Sequence, residues 1–240
     1  MMDLGVFGWT TKCAGGKRKI MLKQVVVFGS KIGEKIIGDM IEDNLPVDVI
    51  RVTSNSEDDY IGSTESEIRD LAETKLEPYL EKVDVIVFCE PEIMLSAGAY
   101  LKRQYPAQKF VGYGRNLTRL LNKAKTARVL LSHITKRNTH YQEMKFACPE
   151  VSVSESILEP FNLSLPKSDM ARQFIQRILD GVNCGLVIIY TPDLIYLEDQ
   201  IKDFLKWRAN VVDMRDSLFR ETCSALEFRG VDGRPARDVI

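Results

Sequence analysis

Short apolar runs alternate with stretches of helical spacing along nearly the whole chain. Lys23–Phe28 is a short β-branched run, and Glu34–Asn44 behind it places Ile36, Ile37, Met40 and Ile41 at helical intervals. Pro46–Thr53 reads as a second strand and Ser54–Thr64 as a polar loop. Ser66–Leu80 reads as a helix on Ile68, Leu71, Leu76 and Leu80. Strands follow at Val83–Phe88, Lys109–Tyr113, Arg128–Ser132, Val151–Ser154, Leu186–Tyr190 and Asn210–Met214. Helical segments separate them at Ile93–Gln104, Arg115–Lys125, Asn138–Cys148, Ser168–Gly181 and Leu194–Trp207, with a closing helix at Asp216–Phe228. Gly181 supplies a helix stop.

Within this alternation lies a near-repeat. Val83–Phe88 runs into Cys89-Glu90-Pro91-Glu92-Ile93, and Gly185–Ile189 runs into Tyr190-Thr191-Pro192-Asp193-Leu194. Each is a continuous apolar run, then a polar residue, a proline, a carboxylate and a helix-like segment. Proline fits the first helical turn, where its missing N–H costs nothing. Each unit therefore reads as a buried strand that delivers one side chain to a helix N-terminus, where parallel α/β sheets place their ligand sites. The residues delivered are Cys89 and Tyr190.

Strands alternating with helices imply parallel sheets with right-handed crossovers. The fold class expected is α/β, with two similar parallel-sheet domains related by pseudo-twofold symmetry. The expected division is 21–112 plus 208–228 for the first domain and 113–207 for the second, with a hinge near Gly112–Gly114. Residues 1–20 read as a leader or extension, with an extra strand at Leu4–Trp9 as the alternative, and 229–240 as a flexible tail.

Composition narrows the chemistry. The 240 residues carry 33 basic and 34 acidic side chains, a net charge of −1, which offers nucleic acid or an anionic membrane no electrostatic purchase. No apolar run approaches the ~20 residues of a membrane span. The five cysteines are widely spaced without a CxxC pair, so neither a zinc site nor a disulfide framework is suggested. Reduced thiols in a cytoplasmic protein are the simplest reading. His133 and His140, the only histidines, cannot build a multi-histidine metal site.

The order of these elements and several local sequences resemble the glutamate racemase family of the aspartate/glutamate racemase superfamily, over most of Met21–Leu226. Val25–Gly33 is similar to the family's first strand and its Phe-Asp-Ser-Gly-x-Gly loop, and Tyr60-Ile61-Gly62 to its Pro-Tyr-Gly loop. Val85–Cys89 resembles the strand that ends in the first catalytic cysteine. Leu130–Thr135 with Tyr141-Gln142 resembles the Ala-Thr-x-x-Thr stretch and the Tyr-Gln after it. Tyr190-Thr191 falls where the family has Gly-Cys-Thr-His, and Val212-Asp213 where it has a strand ending in Asp-Ser. The resemblance implies cofactor-free chemistry. One thiolate removes the α-proton of glutamate, a facing thiol returns a proton on the other side, and helix N-termini hold the carboxylate. It carries catalytic roles to Cys89 and, as the weaker candidate, Tyr190, and substrate binding to Ser30, Ser63, Thr135 and Thr191. The implied ligand is a small amino-acid-like or carboxylate molecule, and a homodimer is a candidate assembly.

The departures fall in the site itself. Tyr190 stands for the second cysteine, Gly29 for the first-loop aspartate, and Glu90-Pro91 for an Asn-Thr pair. Free tyrosine ionises near ~10 and cysteine near ~8.5, so a tyrosinate costs roughly 2 kcal/mol more before any tuning. Glu90 and Glu92 would disfavour a Cys89 thiolate and repel an anionic substrate. Three readings follow: a member that kept the fold and lost racemisation, with a binding or regulatory role; an isomerase or decarboxylase working through Cys89 alone or the Glu92/Asp193 pair; and an active racemase. Bland roles compete at each residue. Cys89 fits a small core hydrophobe, Glu92 and Asp193 fit first-turn residues that complement a helix dipole, and His133 fits a loop or strand end.

Overall fold

The computed structural model describes residues 22–54, 63–158, 169–206 and 208–228. The expected leader at 1–20, the Tyr60–Gly62 loop and the 229–240 tail lie outside the described residues.

Four strands, β1 (Lys23–Gly29), β2 (Val47–Thr53), β3 (Val85–Phe88) and β4 (Lys109–Val111), form a parallel sheet of order β2-β1-β3-β4. A second parallel sheet has the same winding, β6-β5-β7-β8, from β5 (Thr126–Ser132), β6 (Ser152–Leu158), β7 (Leu186–Ile189) and β8 (Asn210–Asp213). The strand of the 208–228 segment thus does not rejoin the first half as expected, because its backbone pairs with β7.

The first half carries helices α1 (Lys31–Asn44), α2 (Glu65–Leu76) and α3 (Pro91–Gln104). The second carries α4 (Gly114–Leu121), α5 (His133–Arg137), α6 (Thr139–Phe146), α7 (Asp169–Ile178), α8 (Glu198–Leu205) and α9 (Met214–Ala225). α9 crosses back to pack on β4, α1 and β3.

Strand alternation decides how the layers stack. Val25 and Val27 face one core with Val85 and Val87, whereas Val26 and Phe28 face another with Ile86 and Phe88. The first of these cores is shared. It joins Val25, Val87 and Val111 of one sheet to Val129, Leu131 and Ile188 of the other, with Ile37, Leu117, Tyr141 and Leu218 from α1, α4, α6 and α9 between them. The outer faces are closed separately, by α2 and α3 over the first sheet and by α7 and α8 over the second.

Two expected elements differ. His133–Arg137 is a helical turn rather than a loop, because Ser132 caps it by accepting from the Thr135 N–H. The helix expected from Leu194 is split into a 3₁₀ turn, Pro192–Leu197, and α8.

Candidate functional site

Cys89 and Tyr190 occupy equivalent places. Cys89 follows β3 and donates its backbone N–H to Phe28 of β1 at 2.9 Å; Tyr190 follows β7 and donates its own to Leu130 of β5 at 2.9 Å. Both side chains are fully buried. Burial, then the charges of Glu90 and Glu34, push the Cys89 thiol well above the usual range, and Arg51 opposes them only weakly. Tyr190 is pushed upward by burial first and by Glu92 second. That charge comes from the other half of the molecule.

The Tyr190 ring meets Tyr113 edge-on, centroids 6.1 Å apart at 82°, and Tyr141 at 6.3 Å. Its hydroxyl donates to the Tyr113 carbonyl at 3.4 Å. The tyrosine therefore packs against α6 and against the segment that links β4 to α4.

Ser30 caps α1, accepting from the Gly33 N–H at 2.9 Å. A capping box would place a glutamate at position 33 to reach back to the Ser30 N–H. Gly33 has no side chain, and Glu90 supplies the carboxylate from sixty positions away: its Oε1 accepts from Ser30 N at 3.0 Å and Ser30 Oγ at 2.7 Å. Glu90 is the N-cap of α3 by position, yet its side chain makes no cap bond there. The glycines make room for it. A Cβ at Gly29 would lie 2.2 Å from Glu90 Oε2 and 2.7 Å from the Cys89 Cβ, and one at Gly33 would lie 1.9 Å from Glu90 Oε1.

The second half repeats the device. Ser132 caps α5 as Ser30 caps α1, and it donates its hydroxyl to Glu92 Oε1. Thr135 Oγ1 donates to the same oxygen at 2.8 Å. Glu92, the acidic residue in the first turn of α3 as expected, thus also ties that helix of the first half to the β5–α5 junction of the second.

The expected residues divide accordingly. Ser30 and Thr135 are buried, each bound to a glutamate; Thr191 is buried next to Tyr190; Ser63 is half-buried beside the Thr64 cap of α2 and takes no part in these contacts. Ser132 and Tyr113 were not singled out. The Ser132 signal was available, since a serine ends each first strand of a half with its capped residue three positions on. Tyr113 carried none. At the far end of the second sheet Asp213 caps α9, and burial raises its carboxyl to about 6 against the opposing Arg215, whose N and Nε donate to it at 2.8 and 2.5 Å. Among the described residues no cluster of three or more His, Cys, Asp or Glu could hold a metal ion, and no helix is long and apolar enough to cross a membrane.

No protein-family model matches the sequence, and no curated protein matches it in sequence. Solved structures do match in three dimensions. The Francisella tularensis glutamate racemase in complex with D-glutamate superposes with a TM-score of 0.75 at 15% identity, over 85% of this chain and 81% of that one. Escherichia coli glutamate racemase in complex with L-glutamate gives 0.70 at 18% identity, over 90% and 86%. The fold is that of the aspartate/glutamate racemases. The racemase fold also includes the maleate isomerase Iso of Pseudomonas putida S16, at a TM-score of 0.51, 14% identity and 89% and 96% coverage. In this chain the ends of β3 and β7 carry a buried thiol and a buried phenol.

Proposed function

We propose that this chain is a divergent aspartate/glutamate racemase-like protein that does not carry out two-thiol racemisation and acts by binding or regulation. One observation carries the reading: Tyr190, at the strand end equivalent to that of Cys89, is fully buried and spends its hydroxyl on the Tyr113 carbonyl in the segment between β4 and α4. A racemase needs a proton carrier on each face of a planar carbanion. Here one carrier position is a packing residue, and the surviving thiol has its ionisation opposed by burial, Glu90 and Glu34.

The shared fold does not fix a substrate, since glutamate racemases and a maleate isomerase both have it. Glutamate bound to two of those racemases supports a small carboxylate as the ligand class. In this reading Ser30, Thr135 and Thr191 are the polar groups of the cleft.

The test is a circular-dichroism assay of L- and D-glutamate and of both enantiomers of aspartate, with α-proton exchange in heavy water followed by NMR. The expected outcome is neither rotation change nor exchange. Turnover on the order of 1 s⁻¹, abolished by Cys89→Ser and by Tyr190→Phe, would reverse the reading and make Tyr190 the second acid.

A further inference from the structure

Two carboxylates leave one short turn, Glu90 and Glu92, and each ends in a seat made of groups that would serve a free carboxylate. The first seat is the Ser30 N–H at 3.0 Å and the Ser30 hydroxyl at 2.7 Å, floored by Gly29 and Gly33, whose missing Cβ atoms leave the volume the carboxylate fills. The second is the pair of hydroxyls of Ser132 and Thr135 on the opposite half. Both glutamates are at least nine-tenths buried, at 5% and 6% exposure. The seats are related by the pseudo-symmetry, as each lies at the serine cap behind the central strand of its sheet. They also flank one aromatic contact, that of Tyr113 with Tyr190. Glu90 acts on Cys89 and Tyr113, Glu92 acts on Tyr190, and the rings of Tyr113 and Tyr190 touch.

We propose that the cleft is self-liganded: Glu90 and Glu92 act as built-in ligands for two seats complementary to a small carboxylate, and a free carboxylate enters only where the internal one has been removed. The proposal rests on the non-racemising reading above and gives it a physical cause. A carboxylate tethered to its backbone by two methylenes has an effective concentration that millimolar free acid does not match. Glu92 does for the halves what a bridging ligand would, since it is anchored on one and bonded to the other. Gly29 and Gly33 then have a role that their backbone conformation does not require: neither has a positive φ, and both lie where a side chain would strike the Glu90 carboxylate.

The experiment uses the full chain with Glu90→Ala, Glu92→Ala and the double substitution. Acetate and glutarate are titrated by calorimetry and by the shift of the thermal midpoint, against chloride at equal ionic strength. Wild type should respond to acetate as it does to chloride. Each single variant should bind acetate saturably and gain thermal stability from it. The double variant should bind glutarate roughly tenfold or more tightly than acetate, because two seats in one cleft reward a ligand with two carboxylates. Glu90→Gln, which fills the seat with an amide of the same shape, should stay unresponsive. Variants that treat acetate as chloride overturn the proposal. So does a double variant with no preference for glutarate, which makes the two glutamates separate structural caps. If Glu90→Ala folds poorly, refolding yield in acetate against chloride reads the same seat. Recovery only in acetate supports the proposal; equal failure in both, with Glu92→Ala unresponsive as well, overturns it. Wild-type turnover of glutamate is a separate measurement that defeats the non-racemising reading, whatever the variants bind.

Discussion

Position 190 holds an aromatic ring where pseudo-symmetry with Cys89 calls for a small group, and the ring is used for packing between Tyr113 and Tyr141. Replacing it with the smaller residue should therefore empty a volume rather than complete a catalytic pair. Tyr190→Cys is expected to lose about 3 kcal/mol in urea unfolding, the scale for truncating a buried aromatic, and to remain silent in the racemisation assay. Tyr190→Phe removes only a 3.4 Å hydroxyl contact and should cost about 1 kcal/mol or less. Cys89 gives a companion test. Native alkylation should spare it, because it is fully buried and its thiolate is disfavoured. Cys184, the one cysteine among the described residues that is not buried, should react first. Labelling of Cys89 at the Cys184 rate, read by mass spectrometry, would mean that the cleft opens readily in solution. At this scale the sequence showed which residues stand at the two strand ends. It could not show that Glu90 bonds to Ser30 and Glu92 to Ser132 and Thr135, because those partners are 40 to 60 positions distant.

Among the elements, the start of α1 shows why local rules reach only so far. α2 is closed by a local capping box, Thr64 with Glu67, in which the hydroxyl accepts from the Glu67 N–H and the carboxylate accepts from the Thr64 N–H. α1 has the serine but a glycine three positions on, and its carboxylate comes from the β3–α3 turn. Periodicity found both helices; only tertiary structure assigns the second half of the α1 cap. The same limit hid α5, a turn defined by its Ser132 cap and too short for a periodic apolar face, and kept β8 from being placed beside β7. The trans cap makes a quantitative prediction. Gly29→Ala should destabilise by about 1–3 kcal/mol, typical of overpacking, because the new methyl strikes both Glu90 and the Cys89 Cβ. In a Glu90→Ala background part of that cost should vanish, leaving a coupling energy of about 1 kcal/mol in the double-mutant cycle. Strict additivity would place the Glu90 carboxylate away from Gly29 and sink the trans-cap account.

For the whole molecule, the decisive feature is that the inward faces of the two sheets share one core with α1, α4, α6 and α9. Alternating strands and helices made two parallel α/β halves legible from the sequence, but the period-2 pattern of a strand buried on both faces does not say which face meets the partner half. Polar ties add to the shared core. Glu92 is bonded to Ser132 and Thr135, Asn138 donates to Ser96 at 3.2 Å, and the Thr139 N–H donates to Glu65 at 2.9 Å. Asn116 also bonds to Ser217 and Glu221 of α9, which itself lies against the first sheet. Halves joined this way lose apolar burial together if either one opens, so neither has a complete core of its own. The chain should accordingly unfold in urea as a single transition, with far-UV circular dichroism and tyrosine fluorescence giving the same midpoint. Glu92→Ala should lower that midpoint without splitting the curve, since removing one tie leaves the shared apolar layer intact. Two resolved transitions in the wild type would show instead that each sheet and its outer helices form an autonomous unit, with the cleft as a hinge between them.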